Sequence, residues 1–103
     1  MVTVVVIGRH NAESCAFFNE TSKKRVMEWA AKNPELEAKH GVKMVGAWTV
    51  PPEHLTIQVF EAPNNEAMQA YASEPEVIGM MSWSTLEYKM AMTLAESMQA
   101  MRQ

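Results

Sequence analysis

The sequence predicts an α+β domain in which one antiparallel sheet carries helices on a single face. Three observations predict it. Stretches with strand character and stretches with helical stripes follow one another as strand, helix, strand, strand, helix, strand. The two middle strands are joined by Pro51-Pro52-Glu53, a link short enough to force an antiparallel hairpin. Residues His54 to Glu61 then alternate cleanly, with Leu55, Ile57 and Val59 on one side and His54, Thr56, Gln58 and Phe60 on the other.

Val2 to Arg9 is rich in β-branched residues and reads as the first strand. Both of its rows are apolar, as in a strand covered on both faces. His10 to Cys15 is a polar connection, followed by a helix from about Ala16 to Lys32 with Phe18, Val26, Trp29 and Ala30 on its stripe. Asn33-Pro34 is expected to interrupt that helix, with Asn33 capping a short second piece from Pro34 to His40. Gly41 suits the left-handed position that ends it.

Val42 to Val50 and His54 to Glu61 form the hairpin. Asn64 or Asn65 caps the next helix, with Glu66 in its first turn and Met68, Tyr71 and Ala72 facing inward. Glu74-Pro75-Glu76 ends it, and a loop or short turn carries Val77, Ile78, Met80 and Met81. The last strand is expected from Trp83 to Met92. Thr93-Leu94-Ala95-Glu96 has capping-box spacing, which predicts a C-terminal helix from Leu94 to about Arg102. The whole order is that of a ferredoxin-like β-α-β-β-α-β unit in a single domain over residues 1–103. Right-handed crossovers place both main helices on one side. The expected bare row of the third strand is His54, Thr56, Gln58 and Phe60, and a second copy of the chain is the economical cover for such a face.

Composition narrows the function classes. At 103 residues the chain buries about two-thirds of its unfolded surface in one core. With 48% apolar residues and a net charge of −3, it is neither a disordered segment nor a polyanion binder. The lone basic run, Lys23-Lys24-Arg25, is diluted by Glu20 and Glu28 and reads as a solvated helix face, so no nucleic-acid partner is expected. The apolar start is too short for a membrane segment and has no basic flank. The single cysteine, Cys15, forms no internal disulfide, so a cytoplasmic, reducing location is expected.

Gly8-Arg9-His10-Asn11-Ala12-Glu13-Ser14-Cys15 and the hairpin Val45-Gly46-Ala47-Trp48-Thr49-Val50-Pro51-Pro52-Glu53-His54 resemble segments of small bacterial and archaeal proteins in the dimeric α+β barrel superfamily. The resemblance spans about Val2 to Thr93. It implies two four-stranded sheets closing on each other in a homodimer. The superfamily includes monooxygenases, lactone isomerases, haem-dependent enzymes and proteins without a known reaction, so the fold does not choose a chemistry or a cofactor. No Asn-Trp-His set stands where the haem-degrading branch would have one.

Three groups of residues carry possible chemistry. His10, Glu13 and Cys15 lie together after the first strand. A helix starting near Ser14 or Cys15 would aim amides at the thiol and favour thiolate, with His10 as base or metal co-ligand. The alternative is an exposed histidine beside a thiol acting as a small apolar residue. His54, grouped with Gln58, Trp48 and Glu61, opens the third strand and reaches a cavity at the strand end, the dimer seam or solvent. His40, at a helix C-terminus, is explained by the helix dipole and is left out. Six of the ten methionines follow residue 79. They suit irregular packing better than copper binding, since no His or Cys accompanies them.

The expected site is a small pocket between sheet and helices. His10, Glu13 and Cys15 are its chemical groups, His10 and Cys15 its metal ligands, and Trp48, His54, Tyr71, Met81 and Trp83 contact a small hydrophobic ligand. Turnover would be oxygenase-like or isomerase-like. The competing expectation is a non-catalytic homodimer or larger assembly, with the C-terminal helix exchanged between copies.

Overall fold

The computed structural model describes residues 1–103. The elements run β1 (Val2–Arg9), α1 (Glu20–His40), β2 (Lys43–Val50), β3 (Leu55–Ala62), α2 (Asn65–Ala72), α3 (Pro75–Met81), β4 (Thr85–Ala91) and α4 (Leu94–Met101). The strands form one antiparallel sheet in the order β2-β3-β1-β4. This is the expected α+β, ferredoxin-like arrangement. No helix is long and apolar enough to cross a membrane.

Capping decides where α1 begins. The helix starts at Glu20 rather than near Ala16, because Cys15 to Phe18 form a tight turn. Asn19 bonds its own backbone N–H to the Cys15 carbonyl at 2.8 Å. The Asn19 side chain then accepts from the Ser22 N–H at 3.0 Å, satisfying one of the amides that a helix start leaves open. The expected break at Asn33-Pro34 is also overturned: α1 runs through Pro34 without interruption.

An interior proline costs about 3 kcal/mol. Here the chain on both sides of it is anchored. Tyr71 donates its hydroxyl hydrogen to Asn33 Oδ1 at 2.5 Å, and Asn33 Nδ2 donates to Glu37 Oε2 at 2.6 Å. Glu37 Oε1 in turn accepts from the Met44 N–H at 3.1 Å, tying the helix to β2. Gly41 closes α1 at φ 67°, in the left-handed region that glycine adopts without penalty.

Residues 75–81, expected as a loop or turn, form the short helix α3 with Pro75 in its first turn, where a missing N–H costs nothing. β4 is shorter than expected, Thr85–Ala91, and leaves Trp83 in the preceding turn. Asn64 caps α2 through its side chain, and Thr93 and Glu96 cap α4 reciprocally.

The core lies between the sheet and helices α1 to α3. Val4, Val6, Phe60 and Ala62 from the strands meet Leu36, Met68, Tyr71 and Val77 from the helices. This reverses the facing expected for β3. The register sets Val4 opposite Phe60 and Val6 opposite Gln58, so Phe60 and Gln58 face the helices. Leu55, Ile57 and Val59 lie on the outer face with Val5 and Ile7. A bulge at Val45 lets Met44 face inward opposite Phe60 and sends Gly46, Trp48 and Val50 outward. The indole of Trp48 lies over Gly46 so closely that a Cβ there would meet it at 2.5 Å.

The Cα envelope measures 51 × 31 × 16 Å. With a helix diameter of about 10 Å, the short axis holds a sheet and one helical layer. Outside that layer, α4 buries none of its residues, and Leu94, Met98 and Met101 form an exposed apolar stripe along it.

Candidate functional site

The site stands where β1 ends and β3 begins. Because these strands pair antiparallel, the residue after β1 lies beside the residue before β3. The His10 N–H donates to the His54 carbonyl at 3.1 Å. His54 follows a one-turn 3-10 segment, Pro51–Glu53, and takes the left-handed conformation, φ 51° and ψ 47°. Histidine is among the few non-glycine residues that visit this region, at a cost of about 1–2 kcal/mol.

A second 3-10 segment, Ala12–Ser14, follows His10 and is capped by Asn11, whose side chain accepts from the Ser14 N–H at 2.9 Å. It delivers Cys15 into the interior, 3% exposed. The expectation that a helix starts at Cys15 and polarises its thiol does not hold. Cys15 stands at the C-terminal end of the 3-10 turn, and α1 begins only at Glu20.

The His10 ring packs edge-on against two neighbours, with centroid separations of 5.4 Å to His54 and 5.0 Å to Trp83. Donor atoms of His10, Cys15 and His54 all lie within 4.8 Å of one another. Burial, and next the adjacent His54, hold the His10 pKa below the usual histidine range. His10 is therefore neutral at neutral pH, and one of its nitrogens offers a lone pair.

The polar atoms here are unmatched. His10 Nδ1 and Nε2, His54 Nδ1 and Trp83 Nε1 are buried without a hydrogen-bond partner, and no other side-chain nitrogen or oxygen in the chain is. Each unmatched group costs about 1–3 kcal/mol. Folded proteins keep such groups rare, and here four of them stand together.

These residues line one end of a cavity of about 560 Å³ between the sheet and α1. Val6, Gly8 and Gln58 form its floor, Val26 and Trp29 of α1 one wall, and Met80 and Met81 of α3 another. Such a volume and mostly apolar lining, with a few polar groups among it, are usual for a small-molecule pocket.

Of the residues expected at the site, His10, Cys15, His54, Met81 and Trp83 line this cavity together. Trp48 borders it from the edge strand β2, where it remains 58% exposed. Glu13 and Tyr71 do not belong to it. Glu13 is exposed, and its carbonyl accepts from Asn19 Nδ2 at 2.9 Å. Tyr71 is fully buried and takes a hydrogen bond from Trp29 Nε1 at 3.2 Å while bonding Asn33. It braces α1 against α2, and burial pushes its phenol up to about 12. Gln58 was expected to face outward, and Trp29 and Met80 were not singled out for the site. The meeting of His10 with His54 had a readable signal, since antiparallel pairing of the first and third strands brings those two ends together.

Comparison with known structures agrees with the fold. A NIPSNAP domain protein from Burkholderia xenovorans, itself uncharacterised, superposes with a TM-score of 0.60. The match covers 92% of this chain and 96% of that one at 9% identity, a likeness of fold alone. No curated protein matches the chain. A family model described as a domain of unknown function, DUF3303, matches residues 12–103, which takes in Cys15, His54 and Trp83. The chain belongs to that DUF3303 family.

Proposed function

We propose that this protein works as a homodimer that binds a small, largely apolar molecule in the cavity between sheet and α1. The polar end of that molecule would lie toward His10, His54 and Trp83. The observation that carries this reading is the coincidence of the mostly apolar cavity with all four unmatched buried nitrogens. A ligand bearing an oxygen or nitrogen at one end supplies the missing partners, and its apolar remainder fills the rest. Turnover of isomerase or oxygenase type suits such a site, which combines a mostly apolar cavity with two imidazoles. A reducing compartment such as the cytoplasm suits the free, buried thiol of Cys15.

The homodimer rests on the outer sheet face. Val5, Ile7, Leu55, Ile57 and Val59 form a continuous apolar field there, bordered by the Arg9–Glu87 ion pair and by Trp48. A second copy across a two-fold axis buries this field with matching charges at its rim. The other reading, an assembly module, is favoured by α4, whose apolar stripe is left exposed by its own chain.

The test uses the chain's three tryptophans, since Trp29, Trp48 and Trp83 all line or border the cavity. Titration with anilinonaphthalene sulfonate should saturate at one probe per chain and quench intrinsic fluorescence, on a particle whose light-scattering mass is two chains. Non-saturating binding with unchanged tryptophan emission refutes the pocket, and a one-chain mass refutes the dimer.

A further inference from the structure

We propose that Cys15 Sγ and one ring nitrogen each from His10 and His54 form a three-ligand site for a transition-metal ion of the zinc class, with the remaining coordination position facing the cavity. The open position rests on the cavity reading above. The ion itself rests on the donor set alone.

Three independent observations converge on it. The donors come from separate parts of the chain, after β1, after a 3-10 turn and before β3, yet lie within 4.8 Å of one another. Bonds of about 2.0–2.3 Å to a tetrahedral ion would draw such a set inward. Next, both ring nitrogens of His10 and Nδ1 of His54 are buried and unbonded, so the lone pairs that a metal needs are not engaged elsewhere. Finally, His54 holds its left-handed backbone conformation at the point where its ring meets His10. Strained backbone of this kind persists where a site requires it.

Two imidazoles and one thiolate form a borderline-soft set that prefers zinc, cobalt or copper to magnesium or calcium. Three protein ligands with one open position are the pattern of reactive rather than structural zinc. Trp83 Nε1 is a donor only and cannot bind the ion. Beside the site it would donate to an oxygen on the fourth ligand. The ligand class that follows is an apolar molecule carrying one carbonyl, hydroxyl or carboxylate oxygen. Binding converts the Cys15 thiol to thiolate with release of its proton to solvent, and removes His10 from any role as free base.

The test is titration of metal-stripped protein with Co²⁺, followed by displacement with Zn²⁺. One cobalt per chain should bind, with a thiolate-to-cobalt charge-transfer band and the visible absorption of a tetrahedral ion. Zinc should abolish both. In Cys15→Ser the charge-transfer band should disappear. His10→Phe and His54→Gly, the second of which keeps the left-handed backbone accessible, should each weaken binding by roughly tenfold or more. Circular dichroism and a thermal melt confirm that each variant is folded, and Cys15→Ala replaces Cys15→Ser if the latter does not fold. Absence of a stoichiometric cobalt complex, or a spectrum unchanged by Cys15→Ser, overturns the proposal. Probe titration of the metal-free protein separates the two ideas. Probe binding without metal binding leaves the cavity reading standing and removes the metal, while metal binding without probe binding does the reverse.

Discussion

The two ends of this sheet treat buried polar groups in opposite ways. Where β1 begins, every such group is matched. His40 Nε2 lies 2.6 Å from Glu74 Oε2, which also takes Lys39 Nζ at 2.9 Å. Close by, Trp29, Tyr71, Asn33 and Glu37 form a chain of hydrogen bonds that ends on the backbone of Met44. Where β1 ends, His10, His54 and Trp83 keep four buried nitrogens unmatched. Both ends hold a half-buried histidine packed edge-on against an aromatic ring, so composition does not distinguish them. Satisfaction does. The matched end keeps α1 continuous through Pro34 and ties it to α2 and β2. The unmatched end leaves four buried nitrogens unbonded, which is why the proposed ligand is placed there.

The largest effect is expected from breaking the matched end. Tyr71→Phe leaves Asn33 Oδ1 and Trp29 Nε1 without their partner and should cost about 1–3 kcal/mol in denaturant unfolding. The same variant changes the alkaline limb. Folding raises the Tyr71 pKa from 10.0 to about 12, so its contribution is complete below pH 10 and is lost as pH climbs from 10 toward 12. Tyr71→Phe should lack that decline. A change within about 0.5 kcal/mol, with the alkaline limb intact, would show that the network does not hold α1.

At the other end the sign should reverse. His10→Phe removes two unmatched nitrogens beside a cavity with room for the ring, and should leave the metal-free protein as stable or up to about 1 kcal/mol more so. A loss like that of Tyr71→Phe would mean that His10 is structural and that the contrast between the ends is false. The smallest effect belongs to Glu74. Hydrogen bonding from Lys39, and next from His40, lowers its pKa below the ordinary 4.5. The stability it contributes is therefore present above pH 4.5 and is lost as pH falls through the lowered value. Glu74→Gln should flatten acid unfolding below that pH and lower neutral stability by the same small amount, since Lys39 is exposed and screened. An identical acid limb in both proteins would remove Glu74 from the account.

Much of the fold was legible because local chemistry and global order agree. The β-branched run of β1, the Pro51-Pro52 link, Gly41 at the end of α1 and the Thr93/Glu96 box each carry their own instruction. Other positions carried conflicting ones. Pro34 reads as a break by itself and is overruled by bonds from Tyr71 and to Glu37. Asn19 outcompetes Ser14 and Cys15 as a cap because the Cys15 carbonyl is used to close a turn. In β3 the aliphatic row was assigned to the helices, since Leu55, Ile57 and Val59 look like core. Within β3 the outer row is the more aliphatic of the two, and only the pairing of Val4 with Phe60 shows which row is which. For the site, His10, Cys15 and His54 are each visible in the sequence, while Glu13 resembles a site residue through its nearness to them and Tyr71 through its aromatic ring. One points to solvent and the other into a structural network.

The sequence by itself determined the kinds of element, their order and hence the antiparallel ferredoxin-like sheet, because strand and helix periodicities, prolines and caps act over a few residues. Tertiary structure alone decided which row of β3 faces inward, that α1 survives Pro34, and that Cys15 joins two histidines 44 residues apart in number beside one cavity. Those outcomes depend on register and on long-range hydrogen bonds, whose partners lie too far along the chain for any local pattern to encode.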